Sequence, residues 1–213
     1  MKGQDILLLI KLVSLDNLRS TNLKPTKLDQ KLWGWNPDNE VKALLEHNDH
    51  LLESVGNIEY LFTLRGLSEQ LGISKSEVNN SMKRCLNVQL AKMNRLTKRP
   101  EANRRALIEF ISHGIKYVFP VKPAEITRGI PTTFSAPVLQ EKLLSAGTLK
   151  MVWPDPRGKE MGQAIDPLYK SVPFAVKQDP DLYSYLALID AIRMGNARES
   201  NLAIKILAER LGK

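Results

Sequence analysis

Apolar residues recur every three or four positions along much of the chain, which is the period of an amphipathic helix. This pattern predicts helices over 4–14, 39–55, 61–71, 74–90 and 104–119, followed by two C-terminal helices. The inner face of the 104–119 helix is predicted to carry Leu107, Phe110, Ile111, Ile115 and Val118. The first predicted helix reads as amphipathic, with Ile6, Leu7, Ile10 and Val13 inward.

Capping residues support the two C-terminal helices. Asp179 suits the N-cap of the first, and Pro180 suits its first helical position. Gly195 can take a left-handed conformation at its end. Asn196 then caps the last helix, and Glu199 three residues later completes a capping box.

The middle of the C-terminal half has a different pattern. Nine of the twelve prolines fall between Pro120 and Pro180. Because each proline removes a backbone donor and clashes with the preceding helical turn, this span cannot form long helices. It predicts extended segments and turns, with a short helix near 137–145. The fold class expected is therefore α+β and predominantly helical.

Residues 67–85, LSEQLGISKSEVNNSMKRC, have the spacing of a helix-turn-helix. Ser68 is the small residue where two helices cross, Gly72 follows at the turn, and Val78 lies at the buried position of the second helix. Ser74 is the expected N-cap of that second helix. The pattern directs Val78, Met82, Cys85 and Leu86 inward.

The outward stripe of the second helix carries small polar or basic residues. Ser76, Asn79, Asn80 and Lys83 fall at i, i+3, i+4 and i+7, with Lys75 and Arg84 at the edges. Asn can pair with adenine in the major groove, and Lys can contact guanine or phosphate. The stripe contains no acid, so it predicts a face that contacts DNA. A plain solvated helix surface is the alternative.

The charge distribution favours an anionic partner. The formal net charge is +8, and residues 61–110 hold ten Lys and Arg against four Asp and Glu. From Lys75 to Arg105 there are nine basic residues and two acidic ones. Basic surfaces of this kind attract nucleic acid through its phosphates.

With these residues in place, the segment GLSEQLGISKSEVNNSMKRC resembles the helix-turn-helix of bacterial winged-helix regulators, in the broad class that includes MarR-like proteins. The resemblance implies a recognition helix at 75–87 and a first helix at 4–14. It also implies a basic wing within 91–104. It attaches no function to the C-terminal half.

The sequence therefore predicts a cytoplasmic, bacterial, dimeric transcriptional regulator of the repressor type that binds specific sites on duplex DNA. We expect a winged helix-turn-helix domain at 1–105, with an insert at 15–59, and a dimerisation, partner-binding or sensing region at 106–213. The residues expected at the DNA are Lys75, Ser76, Asn79, Asn80, Lys83, Arg84, Arg95, Lys98, Arg99, Arg104 and Arg105. No cofactor, metal or catalytic residue is expected.

Two other classes stay open at this stage. The chain could be a protein-interaction module, such as the antitoxin of a toxin or defence system that also represses its own operon. It could be an enzyme that uses acids such as Asp155, Asp166 and Asp190. No nucleophile–base–acid set supports the enzyme, and neither a membrane span nor a signal peptide is apparent.

Single residues add little to this choice. His47 and His50 have the i, i+3 spacing of metal ligands but lack an evident third ligand. Cys85 points inward, which favours an inert thiol over a redox sensor. Trp33 and Trp35 fit either a partner anchor or a plug in the core.

Overall fold

A computed structural model describes residues 1–20, 35, 58–140 and 149–212. The fold is α+β and predominantly helical, as predicted. The helices are α1 Gly3–Ser20, α2 Leu64–Leu71, α3 Lys75–Asn87, α4 Arg104–His113, α5 Ile115–Val118, α6 Pro137–Gln140, α7 Val172–Val176, α8 Pro180–Met194 and α9 Ala197–Leu211. The strands are β1 Ala91–Met93, β2 Pro100–Ala102, β3 Ile126–Thr132, β4 Met151–Pro154 and β5 Glu160–Ala164.

Helix α1 lies at the centre of the molecule. It is longer than predicted, and it is not amphipathic, because every residue from Gln4 to Leu15 is buried. Its polar residues avoid an unfavourable burial by pairing with residues distant in sequence. Lys11 donates to the Asp179 carboxylate at 2.8 Å, and Ser14 donates to the same oxygen at 2.7 Å. Helix α1 thereby packs against both α3 and α8.

The two helices predicted within residues 61–90 are present as α2 and α3, joined by a short turn. Gly72 adopts a left-handed conformation with φ 62°, which a residue without a Cβ tolerates best. Ser74 caps α3 by accepting a hydrogen bond from the Glu77 backbone N–H, as predicted. The Ser68 hydroxyl crosses the turn and donates to the carbonyl of Ile73 at 2.6 Å.

A short antiparallel hairpin follows α3. Strands β1 and β2 pair Ala91 with Ala102 and Met93 with Pro100. The Asn94 side chain organises the tip, since its Oδ1 accepts from the backbone N–H groups of Leu96 and Thr97, both at 2.9 Å. Local side-chain hydrogen bonds of this kind fix a turn.

Beyond the hairpin, the predicted 104–119 helix is interrupted. Gly114 separates α4 from α5. Leu107, Ile111 and Ile115 are buried as predicted, whereas Val118 is 48% exposed. The prediction for Val118 is wrong because the break at Gly114 ends the regular helical repeat that placed it inward.

The proline-rich span forms a three-stranded closed barrel, in line with the predicted extended segments. Strand β3 is antiparallel to both partners, pairing Thr132 with Met151 of β4 and Ile126 with Gln163 of β5. Strands β4 and β5 close the barrel through a short parallel contact. Helix α6 falls within the predicted 137–145 helix, and the remainder of that prediction lies outside the described residues.

Trp35 belongs to the core. It is 1% exposed, forms a β-bridge with Gly158, and packs edge-on against Tyr183 at a centroid distance of 5.8 Å. Of the two alternatives for this residue, the core plug is therefore correct. Trp33 and the predicted 39–55 helix lie outside the described residues.

The C-terminal helices have the predicted caps. Asp179 accepts from the Leu182 N–H at 2.9 Å, and Asn196 forms both bonds of a capping box with Glu199. Gly195 is a correction, since it is extended (φ −65°, ψ 150°) instead of left-handed. The chain leaves α8 extended because Asn196 must at once adopt the extended conformation of an N-cap.

One continuous hydrophobic cluster includes residues from both halves of the chain. The division near residue 105 stays a prediction. No helix in the described ranges is long and apolar enough to cross a membrane.

Candidate nucleic-acid interface

Helix α3 has one buried and one exposed face. The buried face holds Val78, Ser81, Met82 and Cys85. On the opposite side, the exposed side chains are Lys75, Ser76, Asn80, Lys83 and Asn87. Asn79 is half-buried, since it lies at the edge of the exposed stripe and not at its centre. These five exposed side chains carry amide, hydroxyl and ammonium groups and no carboxylate.

A buried ion pair fixes α3 to α1. Asp5 is fully buried, and its carboxylate accepts from the Arg84 guanidinium at 2.6 Å and from the Ser81 hydroxyl at 2.7 Å. Burial alone would raise the pKa of Asp5, but the hydrogen bonds from Arg84 and Ser81 outweigh it and hold the pKa below its usual value. The carboxylate therefore stays charged at neutral pH and holds α3 against the core.

Glu77 is the one acid of α3, and it lies beside the exposed stripe. Its two carboxylate oxygens accept from the Gln4 amide at 2.7 Å and the Asn80 amide at 3.0 Å. These hydrogen bonds lower the pKa of Glu77. Because an amide nitrogen has two N–H groups, Asn80 keeps one donor and its carbonyl acceptor for another partner. Glu77 thus orients the Asn80 amide.

The hairpin tip presents cations around an exposed apolar residue. Arg95 and Lys98 are exposed, and Leu96 between them is 93% exposed. Lys98 has φ 58°, a left-handed conformation that is unfavourable for a residue with a Cβ. On β1, Lys92 is also exposed, and its Nζ lies 4.0 Å from Oε2 of Glu101.

Three of the predicted phosphate contacts are held inside the molecule instead. Arg84 pairs with Asp5. Arg99 pairs with Glu59 and lies over the Phe62 ring at 5.2 Å. Arg104 donates to the Leu211 carbonyl at 2.8 Å. We assign these arginines to the support of the surface, because their guanidinium groups already have partners within the fold.

Arg105 is exposed and pairs with Glu109 at 3.4 Å. The structure therefore leaves Lys75, Ser76, Asn79, Asn80, Lys83, Arg95, Lys98 and Arg105 available at the surface. One exposed side chain of α3 was missed by the sequence prediction. Asn87 continues the stripe one turn beyond Lys83, so the same helical period extended to the end of α3 would have found it.

The other candidates do not assemble into a site among the described residues. Asp155 is paired with Lys177 at 2.5 Å, and Asp190 accepts from Trp153 at 2.6 Å and from Arg193. No group of three His, Cys, Asp or Glu side chains in the described ranges could hold a metal. His47 and His50 lie outside those ranges.

Cys85 has the environment of an inert thiol. It is fully buried, and its sulfur donates to the Asp5 carbonyl at 3.8 Å. Burial, and then the nearby Asp5 charge, raise the pKa of the thiol to about 12. Reactive thiols need the opposite shift.

Comparison with known proteins gives no relative for this chain: no protein-family model, curated protein or solved structure matches it.

Proposed function

We propose that the protein is a transcriptional regulator that binds specific sites on duplex DNA through the outer face of α3. The observation that carries this proposal is the acid-free stripe of Ser76, Asn80, Lys83 and Asn87 on a helix whose other face is fixed to the core. An α-helix fits the width of the major groove, and amide groups can form the paired hydrogen bonds that distinguish adenine.

The hairpin of β1 and β2 supports the same proposal. In a winged helix-turn-helix, such a hairpin follows the recognition helix and contacts the neighbouring DNA backbone. Arg95 and Lys98 at its tip would then contribute phosphate contacts without sequence preference. A rigid tip suits this role, because little side-chain and loop entropy is lost on binding.

The remaining features of the proposal follow from the size of the surface. One recognition helix contacts too few bases for specific binding, so we infer a homodimer on a two-fold site. Action as a cytoplasmic repressor is the simplest mode, since occupancy of a promoter site requires no further activity.

Selection from a random duplex library, followed by affinity measurements, tests the proposal. Asn80→Ala should relax the preferred sequence, and Lys83→Ala should weaken binding to the preferred site. Asn201→Ala and Lys205→Ala, both exposed on α9, are matched controls and should change neither. An unchanged site preference after Asn80→Ala together with Asn79→Ala would show that α3 is not the recognition helix.

A further inference from the structure

The outward face of the small barrel carries exposed apolar side chains. Ile126 on β3, Met161 on β5 and Leu149 just before β4 are 61%, 55% and 51% exposed. Isolated exposed apolar residues are common on soluble proteins, but adjacent ones form a patch that suits a partner.

Strand register shows that Ile126 and Met161 are neighbours. Strands β3 and β5 pair Ile126 with Gln163 and Arg128 with Met161, so Ile126 and Met161 are diagonal neighbours on one face. The Gln163 N–H donates to the Lys150 carbonyl at 2.8 Å, which places the chain at 149–150 alongside β5.

Gly162 confirms which side faces outward. A Cβ at this position would lie 2.4 Å from the Lys150 carbonyl oxygen and 3.1 Å from the Val152 side chain, inside the barrel. Because side chains alternate along a strand, Met161 and Gln163 point to the opposite, outer side.

Cations border this patch. Arg128, Arg157 and Lys159 are exposed, and Arg128 also donates to the Gly158 carbonyl at 3.2 Å. Two nearby acids already have partners: Asp155 is buried against Lys177, and Glu160 pairs with Lys150 at 2.7 Å. Glu125 is an exposed acid at the margin.

We propose that this barrel face, formed by Ile126, Arg128, Leu149 and Met161 with Arg157 and Lys159 at its rim, docks another protein that presents apolar side chains flanked by carboxylates. The apolar centre and charged rim match the anatomy of a protein interface. Complementary charge would guide and orient such a partner.

Two other occupants fit the barrel face less well. A second copy related by a two-fold axis would bring the same patch against itself, and so would place its cations close together. A nucleic acid would neutralise those cations but would leave Ile126 and Met161 facing phosphates. The barrel face is built from β3–β5, so the proposal does not depend on DNA binding through α3.

The test uses methyl NMR of the full chain, labelled at Ile, Leu and Met. The probes are a synthetic peptide in which Leu and Phe alternate with Asp and Glu, a peptide with Lys at the acidic positions, a peptide with Ser at the apolar positions, and a DNA duplex. We expect only the acidic apolar peptide to shift the Ile126, Leu149 and Met161 methyl signals.

Variants then locate the contact. Met161→Gln and Arg128→Gln should each reduce the affinity for the acidic apolar peptide by about tenfold, the factor for loss of one good side-chain contact. Met93→Gln and Arg65→Gln are matched controls at exposed positions elsewhere and should leave its affinity unchanged. All four proteins should give wild-type backbone spectra.

Three results would overturn the proposal. They are no shift with the acidic apolar peptide, equal or larger shifts at these methyls with duplex DNA, and shifts at these methyls that depend on protein concentration alone. The second would indicate a nucleic-acid surface, and the third a homodimer interface. Because the same samples can be assayed for DNA binding, failure of this proposal is distinguishable from failure of the α3 proposal.

Discussion

The ion pair between α1 and α3 gives an asymmetric prediction for stability. Asp5 is fully buried, whereas the Arg84 side chain keeps 29% exposure. Arg84→Met would leave a buried carboxylate without its cation, and breaking a buried pair in this way costs about 3–5 kcal/mol. Asp5→Asn would leave a guanidinium that can still reach water, so we expect a smaller loss of about 1–3 kcal/mol.

Urea unfolding of the two variants and the double variant measures both losses and their coupling. Arg65→Met is the matched control, because Arg65 pairs with Glu69 while remaining 75% exposed, and its loss should leave the free energy of unfolding close to the wild-type value. A typical domain has about 5–15 kcal/mol of stability, so a folded Arg84→Met protein should be measurable.

The pH dependence of the free energy of unfolding tests the same ion pair independently. In the wild type the pKa of Asp5 is held below its unfolded value of about 3.9, so its contribution is present above that pH and is lost as pH falls through the folded pKa. Without Arg84, burial should raise the pKa of Asp5 above the unfolded value. The deficit of Arg84→Met should then be smallest in acid and grow as pH rises. A larger loss of stability for Asp5→Asn than for Arg84→Met, or a loss in Arg84→Met that is independent of pH, would show that Arg84 does not compensate the buried Asp5 charge.

Three further predictions concern the same half of the molecule. Lys98→Gly relieves the left-handed backbone at this position, so it should stabilise the fold by about 0.5–1 kcal/mol in thermal unfolding. Because it also removes a charge, it should weaken binding to all duplexes and reduce the slope of log affinity against log salt by about one. A less stable Lys98→Gly protein would contradict this prediction. Cys85 should resist alkylation at pH 8 in the native protein and react on unfolding, since the pKa of its buried thiol is raised to about 12; native labelling at the rate of a free thiol would show that α3 opens readily. Gly66→Ala would place a Cβ 2.3 Å from the Tyr60 carbonyl oxygen. It should therefore lower the free energy of unfolding by about 1–3 kcal/mol, in spite of alanine's higher helix propensity. A more stable variant would show that the backbone at Tyr60 can move to make room for the methyl group.

Local signals predicted the turn and the helix caps well. The Ser74 cap, the Gly72 turn and the Asn196–Glu199 capping box each depend on residues within a few positions of one another, whereas α3 ends at Asn87, before the end at residue 90 that the hydrophobic pattern predicted. The hydrogen bonds and backbone conformations of these features involve only neighbouring residues, so they could be predicted from the sequence.

Features set by distant partners could not be predicted in the same way. The first helix was predicted to be amphipathic, yet its Asp5 and Lys11 side chains each pair in the core with a residue far along the chain. Arg84 looked like a phosphate contact because its partner lies 79 residues earlier. The barrel was also hard to predict, since β3 and β4 each contain a proline and β3 pairs with strands that lie far along the chain.

Binding of the purified protein to the DNA upstream of its own gene tests whether it recognises a specific duplex sequence. The purified protein would be titrated against that duplex and a scrambled duplex of equal composition, at two salt concentrations. Phosphate contacts alone weaken steeply with salt and carry no sequence preference. We predict a preference for the native duplex that persists at the higher salt and is lost in Asn80→Ala. Equal, weak binding to both duplexes that disappears with salt would show that the protein binds DNA through surface charge alone and is not a sequence-specific regulator.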